Sequence, residues 1–195
     1  CDDDAPDTPL ERALARAHGL PGAPGQVPWA AFDTATLGTP CAWLRPCHWQ
    51  LGMDHITLLP PKQLLLTEAE SRALLAAVQP LLQEDGLTLT YQRPDAWLAQ
   101  GELLRGLTTW SMARAAQQPL TREVLSHAPT PAQSAHLRRL QNELQMLLYT
   151  QPVNDAREQA RQPPVNALWT EGAGVLDHAI APHPAVQVDA RLAPA

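Results

Sequence analysis

The chain has 195 residues, a hydrophobic fraction of 45% supplied mostly by Leu and Ala, and a formal net charge of −6. A chain of this length can bury a core without disulfides, and its thirteen Arg and single Lys are scattered, so binding to nucleic acid or to an anionic membrane surface is not expected. No apolar run is long enough to cross a bilayer, and three Cys are too few for a disulfide framework. We therefore predict a cytoplasmic protein and make no prediction of its oligomeric state.

The first forty residues predict one helix followed by a connector. Thr8 and Glu11 have the spacing of a capping box, and Gly19 occurs where a left-handed helix end belongs. This predicts a helix over 9–18. Residues 19–40 are rich in Gly and Pro and show no sustained helical or strand period, which is typical of a connector.

The next region predicts two strands and a helix. The segments CAWLRPCHWQ and MDHITLL, joined by a turn at Leu51 and Gly52, are typical of a β-hairpin. A capping box at Thr67 opens an amphipathic helix that we expect to end near Gly86, and Pro80 is expected to kink or divide it.

Weaker signals follow this helix. The alternating segment LTLTY at 87–91 predicts a strand. Between 95 and 128 the chain has little regular pattern, and we expect short helical pieces around Trp97, Trp110 and the pair Val124 and Leu125.

The last third predicts one long helix and a strand. Leu residues recur at helical spacing from Thr130 to Tyr149, and Pro152 stops the run. Asn154 is expected to cap a short helix, and VNALW predicts a short strand before the glycines at 172 and 174.

These elements predict the α/β fold class, with an α+β portion, a mixed sheet and several helices. The opening CDDDAPD without Met and the loose ending DARLAPA lead us to expect missing sequence at both ends. The expected parts are an N-terminal helix and connector (1–40), an α+β region (41–128), a long helix with a motif region (129–180), and a Pro-rich tail (181–195).

A first candidate site lies in PCHWQLGMDH. It places Cys47, His48, Asp54 and His55 within nine residues, and in a hairpin positions 48 and 54 could lie opposite each other. Thiolate, imidazole and carboxylate are metal ligands, so the segment is a candidate metal site. The spacing matches no established zinc pattern, and the alternative is that these polar groups bind the backbone.

A second candidate site lies in QPVNDAREQARQPPVNALWTEGAG, where Pro-Val-Asn occurs twice. Asn154 and Asn166 can donate and accept hydrogen bonds, Arg157 has a planar fork suited to phosphate or carboxylate, and Gly172 and Gly174 allow backbone N–H groups to approach an anion. These residues suit a small phosphorylated acid. The alternative assigns Asn154 to a helix cap, Arg157 to a solvated helix face and the glycines to turns.

This stretch resembles a segment of the archaeal-type cofactor-independent phosphoglycerate mutases, in which a helix leads into His-Pro-Val-Asn-x-x-Arg and then Ala-Asn-x-x-Trp-x-x-Gly-x-Gly. Most of residues 9–174 resemble a proteobacterial family labelled RpfE-type regulatory protein or phosphoglycerate mutase, whose signatures occur here at 46–49, 52–55, 140–149 and 152–157. The positions that match the mutase motif are Pro152, Val153, Asn154, Arg157, Asn166, Trp169, Gly172 and Gly174.

The resemblance implies an alkaline-phosphatase-like core with an inserted α+β domain. It also implies phosphoryl transfer that uses divalent metals (Mn, Mg or Zn), with metal ligands outside this chain, and a substrate held by the Asn and Arg residues. The phosphate clamp of the mutases is replaced here by apolar residues and Lys62. Two hypotheses follow: a divergent mutase-like enzyme, or a non-catalytic regulatory or metabolite-binding descendant of that fold.

Overall fold

The computed structural model describes residues 5–52, 55–59, 61–117, 120 and 128–183. The helices are α1 (Pro9–His18), α2 (Trp29–Thr34), α3 (Pro61–Leu64), α4 (Glu68–Glu84), α5 (Met112–Ala115), α6 (Pro131–Tyr149) and α7 (Pro152–Gln159). The strands are β1 (Cys41–Cys47), β2 (Trp49–Leu51), β3 (Ile56–Leu58), β4 (Thr88–Arg93), β5 (Ala96–Gln100) and β6 (Ala167–Gly174).

The main sheet has four strands in the order β4-β5-β1-β6, and every neighbouring pair is antiparallel. The register places Leu44 of β1 opposite Trp97 of β5 on one side and opposite Thr170 of β6 on the other. Strands β2 and β3 form a separate hairpin. The predicted α/β class, with several helices around a sheet, is confirmed, although the described strands pair only antiparallel where a mixed sheet was expected.

The two faces of the sheet are covered by different helices. Ala42 and Leu44 of β1 belong to the largest core cluster, which also contains the buried side chains of α4 and α6. Cys41, the residue before Ala42, points to the opposite face of the sheet and packs with Ala30 and Ala31 of α2. Because side chains alternate along a strand, the odd-numbered positions of β1 share the α2 face.

The strongest local signals correctly predicted helix ends. Thr8 and Thr67 form complete capping boxes at the starts of α1 and α4, and the left-handed Gly19 ends α1. Pro80 does not divide α4, which is continuous from Glu68 to Glu84. Pro80 lies on the exposed side of α4. The opposite side of α4 packs into the core, and this packing stabilises the continuous helix.

Several predictions were wrong. Trp97 was predicted in a helical piece but lies in β5. This inner strand is buried on both faces, so its sequence lacks the alternation of polar and apolar residues by which a strand is recognised. Helix α2 lies inside the expected connector. The segment CAWLRPC joins the main sheet, so only 49–58 form the hairpin. The helical piece predicted at Val124 and Leu125 lies outside the described residues.

No helix in the described part of the chain is both long and apolar enough to span a membrane.

Candidate functional site

Asn154 is buried within the first turns of α7, with 3% of its surface exposed. Its Nδ2 donates to the carbonyl oxygens of Leu148 at 2.7 Å and Val165 at 2.8 Å, and its Oδ1 accepts the N–H of Val165 at 2.8 Å. The predicted cap role is wrong, since Gln151 occupies the N-cap position. The side-chain amide instead joins α6, α7 and the segment that leads into β6.

Arg157 lies on the buried side of α7 and is 1% exposed, so it is not on a solvated helix face. Its Nε donates to the carbonyl of Pro163 at 2.8 Å, its Nη1 to Oε1 of Glu70 at 2.9 Å, and its Nη2 to the carbonyl of Leu64. Burial disfavours the ionised form of Glu70, but hydrogen bonds from Thr67 and Arg157 outweigh this and lower its pKa. The guanidinium therefore joins α7 to α3 and α4.

Asn166 uses its side chain in the same way as Asn154. Its Oδ1 accepts the N–H of Trp49 at 2.7 Å, and its Nδ2 donates to the carbonyl of Trp49 at 2.9 Å. Asn154, Arg157 and Asn166 all contact or belong to residues 163–166, and we call these three residues the Asn/Arg cluster. Asn154 and Arg157 thus bond to the segment that precedes β6, whereas the side chain of Asn166, at the end of that segment, bonds to Trp49 of β2.

The two predicted glycines lie elsewhere. Both are in β6 rather than in a turn after it, and Gly172 has a left-handed φ of +61°. A Cβ there would lie 3.0 Å from Cβ of Trp29, and one on Gly174 would lie 2.7 Å from Cβ of Pro28, so both allow α2 to approach the sheet. Gly172 is six positions from Asn166, roughly 20 Å along a strand. The structure does not bring the glycines to the Asn/Arg cluster.

Cys47 and His48, from the candidate metal site, are bonded to the backbone near β6. The Cys47 thiol is 1% exposed and donates to the carbonyl of Ala167 at 3.4 Å, and burial raises its pKa strongly. Nδ1 of His48 lies 2.8 Å from the carbonyl oxygen of Pro164. These contacts match the alternative in which the polar groups bind the backbone.

The hairpin register also differs from the one expected. The N–H of Leu59 donates to the carbonyl of His48, so position 48 lies opposite 59 rather than 54. Asp54 lies outside the described residues, and His55 is in the turn region beside Gly52. Among the residues that the structure describes, no three His, Cys, Asp or Glu side chains lie close enough to hold a metal ion. The described residues therefore offer no support for a metal site at Cys47, His48 and His55.

A cavity of about 280 Å³ lies against the α2 face of the sheet. Strands β1 and β6 line it together with α1 and the start of α2, and we call it the β1–β6 cavity. Its lining residues include Asp7, Glu11, Leu14, Val27, Trp29, Asp33, Trp43, Arg45, Arg93, Glu171 and Gly172. Of the residues predicted for a ligand, Gly172 is the one that lines this cavity.

Arg45 and Glu171 form the buried ionic pair of the cavity. Nε of Arg45 lies 2.9 Å from Oε1 of Glu171, although the N–H does not point at that oxygen, and Nη1 lies 3.5 Å from Oδ2 of Asp95. The N–H of Met112 donates to Oε2 of Glu171. Burial raises the pKa of Glu171, and the Arg45 charge and the Met112 hydrogen bond act against this rise.

Sequence reasoning missed Arg45 and Glu171. Each is the single charged residue of a largely apolar strand, and this isolated charge was the available signal. Trp43 and Glu171 are direct partners in the β1–β6 register, which brings Arg45 and Glu171 to the same face. This pairing joins distant parts of the chain and has no local pattern.

Comparison with solved structures identifies the fold. The chain resembles a cofactor-independent phosphoglycerate mutase from Thermoplasma acidophilum DSM 1728, with a TM-score of 0.52, 15% identity, and coverage of 78% of this chain and 41% of that chain. A protein from Pyrococcus horikoshii is matched with a TM-score of 0.42 and 13% identity, over 74% of this chain and 31% of that one. No family model and no curated protein matches the sequence.

The likeness to the Thermoplasma mutase shows a phosphoglycerate mutase-like α/β fold. The chain spans about two fifths (41%) of the length of the Thermoplasma mutase.

Proposed function

We propose that this chain is part of a divergent cofactor-independent phosphoglycerate mutase-like protein that transfers a phosphoryl group on a small phosphorylated acid such as phosphoglycerate. The supporting observation is the fold shared with the Thermoplasma acidophilum mutase over 78% of this chain. Because the chain spans only 41% of that mutase, the proposed activity is that of the full-length protein. In this proposal the ligands of any divalent metal lie outside this chain.

In this proposal the Asn/Arg cluster takes part in holding the substrate. A guanidinium prefers anionic oxygen, and Glu70 is the anionic partner of Arg157 among the described residues. The Glu70 side chain is 23% exposed, whereas that of Arg157 is 1% exposed. A substrate phosphate or carboxylate would therefore bind Arg157 by replacing the Glu70 carboxylate, which exchanges one anion for another without leaving the guanidinium unpaired.

The test is turnover of 3-phosphoglycerate by the full-length protein supplied with Mn²⁺ or Mg²⁺. We expect 2-phosphoglycerate to form, and we expect Arg157→Ala to lower turnover by roughly 10²-fold, the scale of a lost charge-stabilising contact. Arg105→Ala is the matched control, because Arg105 is exposed and pairs with Glu102 three residues away. Each variant is assayed at a temperature where circular dichroism shows it to be folded.

The outcomes separate the two hypotheses. Turnover that depends on Arg157 supports the proposal, and turnover unchanged in Arg157→Ala removes this residue from substrate binding. Saturable binding of 3-phosphoglycerate without any turnover supports a non-catalytic metabolite-binding protein. Neither turnover nor binding overturns both.

A further inference from the structure

The β1–β6 cavity presents charges of both signs around one partly open space. Four carboxylates and two guanidinium groups are among its lining residues. The charged lining residues are Asp7, Glu11, Asp33, Arg45, Arg93 and Glu171. A small ligand that carries both charges can satisfy such a lining, whereas an ion of one sign leaves part of it unmatched.

Arg45 provides an unused hydrogen-bond donor in this lining. Its side chain is 5% exposed; Nε lies 2.9 Å from Oε1 of Glu171 without its N–H pointing at that oxygen, and Nη1 lies 3.5 Å from Oδ2 of Asp95. Nη2 makes no hydrogen bond to any residue that the structure describes. An anionic oxygen of a ligand would supply an acceptor for Nη2, and the neighbouring Nε–H, which is buried and makes no hydrogen bond, adds to the need for one.

The carboxylates on the α1 and α2 side are held in place by hydrogen bonds, Glu11 by those from the N–H of Thr8 and the hydroxyl of Ser111. Oδ2 of Asp7 accepts a hydrogen bond from the N–H of Gly25 at 2.6 Å, and Oδ2 of Asp33 accepts one from the indole N–H of Trp43 at 3.2 Å. Burial raises the pKa of Asp7 and of Asp33, and the charges of Arg12 near Asp7 and of Arg93 near Asp33 oppose this rise only in part. An ammonium group placed among these carboxylates would add positive charge where carboxylates outnumber guanidinium groups.

The size and the remaining walls limit the ligand further. The volume of about 280 Å³ lies just below the range of roughly 300–1,000 Å³ typical of sites for drug-sized molecules. Trp29, Trp43, Leu14 and Val27 supply apolar surface between the charged groups. The cavity therefore fits a ligand of a few heavy atoms with two charged groups and a short apolar part.

We propose that the β1–β6 cavity binds a small zwitterion of the α-amino-acid class. Arg45 binds the ligand carboxylate through Nη2, and Asp7, Glu11 and Asp33 surround its ammonium group. A phosphorylated acid is disfavoured here, because its negative charges would add to carboxylates that already outnumber the guanidinium groups. The ligand is thus distinct from the substrate proposed for the Asn/Arg cluster.

The test measures binding of single free L-amino acids to the full-length protein by thermal shift, followed by calorimetric titration of the tightest binder. Its deaminated acid and its decarboxylated amine serve as matched analogues. We expect saturable binding of the amino acid and at least tenfold weaker binding of each analogue, about the effect of one lost charge-assisted contact. Absence of binding by every amino acid overturns the proposal, as does an analogue that binds equally well.

Two variants locate the site. Arg45→Gln and Asp33→Asn are each expected to weaken binding at least fivefold, whereas Arg72→Gln and Asp155→Asn, exposed residues outside the lining, leave it unchanged. Asp33 is exposed at the cavity rim, so Asp33→Asn tests the proposal even if Arg45→Gln does not fold. Unchanged affinity in Asp33→Asn overturns the assignment. Since phosphoglycerate turnover is not measured, this failure is independent of the function proposed above.

Discussion

The guanidinium of Arg157 lies 2.9 Å from the carboxylate of Glu70, although the two residues are 87 positions apart in the chain. Glu70 is also the capping-box residue of α4, so this contact attaches α7 to the first turn of that helix. The pair is unequal, because the Arg157 side chain is 1% exposed and that of Glu70 is 23% exposed. Loss of Arg157 therefore removes hydrogen bonds to buried carbonyl groups as well as one ion pair.

We expect Arg157→Ala to lower the free energy of unfolding by about 3 kcal/mol, because the carbonyls of Leu64 and Pro163 lose a charged donor in a buried place. Urea unfolding of the variant and the parent measures the difference. Arg105→Ala removes an exposed pair and is expected to cost less than about 1 kcal/mol. Equal effects of the two substitutions would show that Arg157 does not stabilise the fold through its buried contacts.

Asn154→Ala is expected to destabilise the protein by about 3 kcal/mol, since the N–H and C=O of Val165 and the C=O of Leu148 lose their side-chain partner. Asn142→Ala is the matched control, because Asn142 is exposed on α6, and its effect is expected to stay within about 0.5 kcal/mol. Chemical denaturation monitored by circular dichroism compares the two. A loss below about 1 kcal/mol for Asn154→Ala would contradict this interpretation.

Gly172 and Gly38 separate two effects of a new methyl group. Both have a left-handed φ, but a Cβ on Gly38 meets nothing within 4 Å, whereas one on Gly172 lies 3.0 Å from Cβ of Trp29. Gly38→Ala is expected to cost about 1 kcal/mol from backbone strain alone. Gly172→Ala adds steric overlap and is expected to cost at least about 2 kcal/mol in thermal or urea unfolding. The reverse order would show that α2 yields easily at this contact.

Glu171 makes stability depend on pH. Burial raises its pKa in the folded protein above the unfolded value of about 4.3, so the folded state binds the proton more tightly. The resulting stabilisation is complete below the unfolded pKa and is lost as pH rises through the folded pKa. Glu171→Gln cannot ionise, so it should gain stability relative to the parent as pH rises from about 4 to about 7. Urea unfolding across this range measures the difference. A relative loss in the variant would mean that Arg45 stabilises the ionised carboxylate.

Local signals predicted the parts of the fold that depend on neighbouring residues. Thr8, Thr67 and Thr130 each accept the backbone N–H three positions on, and the helices that they open were predicted. Trp97 was assigned to a helix because an inner strand is apolar on both faces and shows no alternation. Elements defined by neighbouring residues were therefore predicted correctly, whereas an element defined by its pairing with distant strands was not.

The same distinction applies to the two sites. The sequence marked Asn154, Arg157 and Asn166 as unusual polar residues; in the structure the first two bond to residues 163–165, and Asn166 bonds to Trp49. Their hydrogen-bond partners depend on how α7 folds back on the chain. Arg45 and Glu171 meet through the pairing of β1 with β6, which no short segment reveals. Polar residues could be recognised from sequence, but not which of them line a cavity.

Asn154 and Asn166 each bind both the N–H and the C=O of one other residue, Val165 and Trp49 respectively. A side-chain amide in this arrangement takes the place of a neighbouring β-strand. The amide protons of Val165 and Trp49 are therefore removed from solvent by side chains rather than by a ladder. Hydrogen exchange at these two protons should report on the packing of the Asn/Arg cluster, and the Val165 proton should exchange faster in Asn154→Ala while the centre of the β1–β5 ladder stays protected.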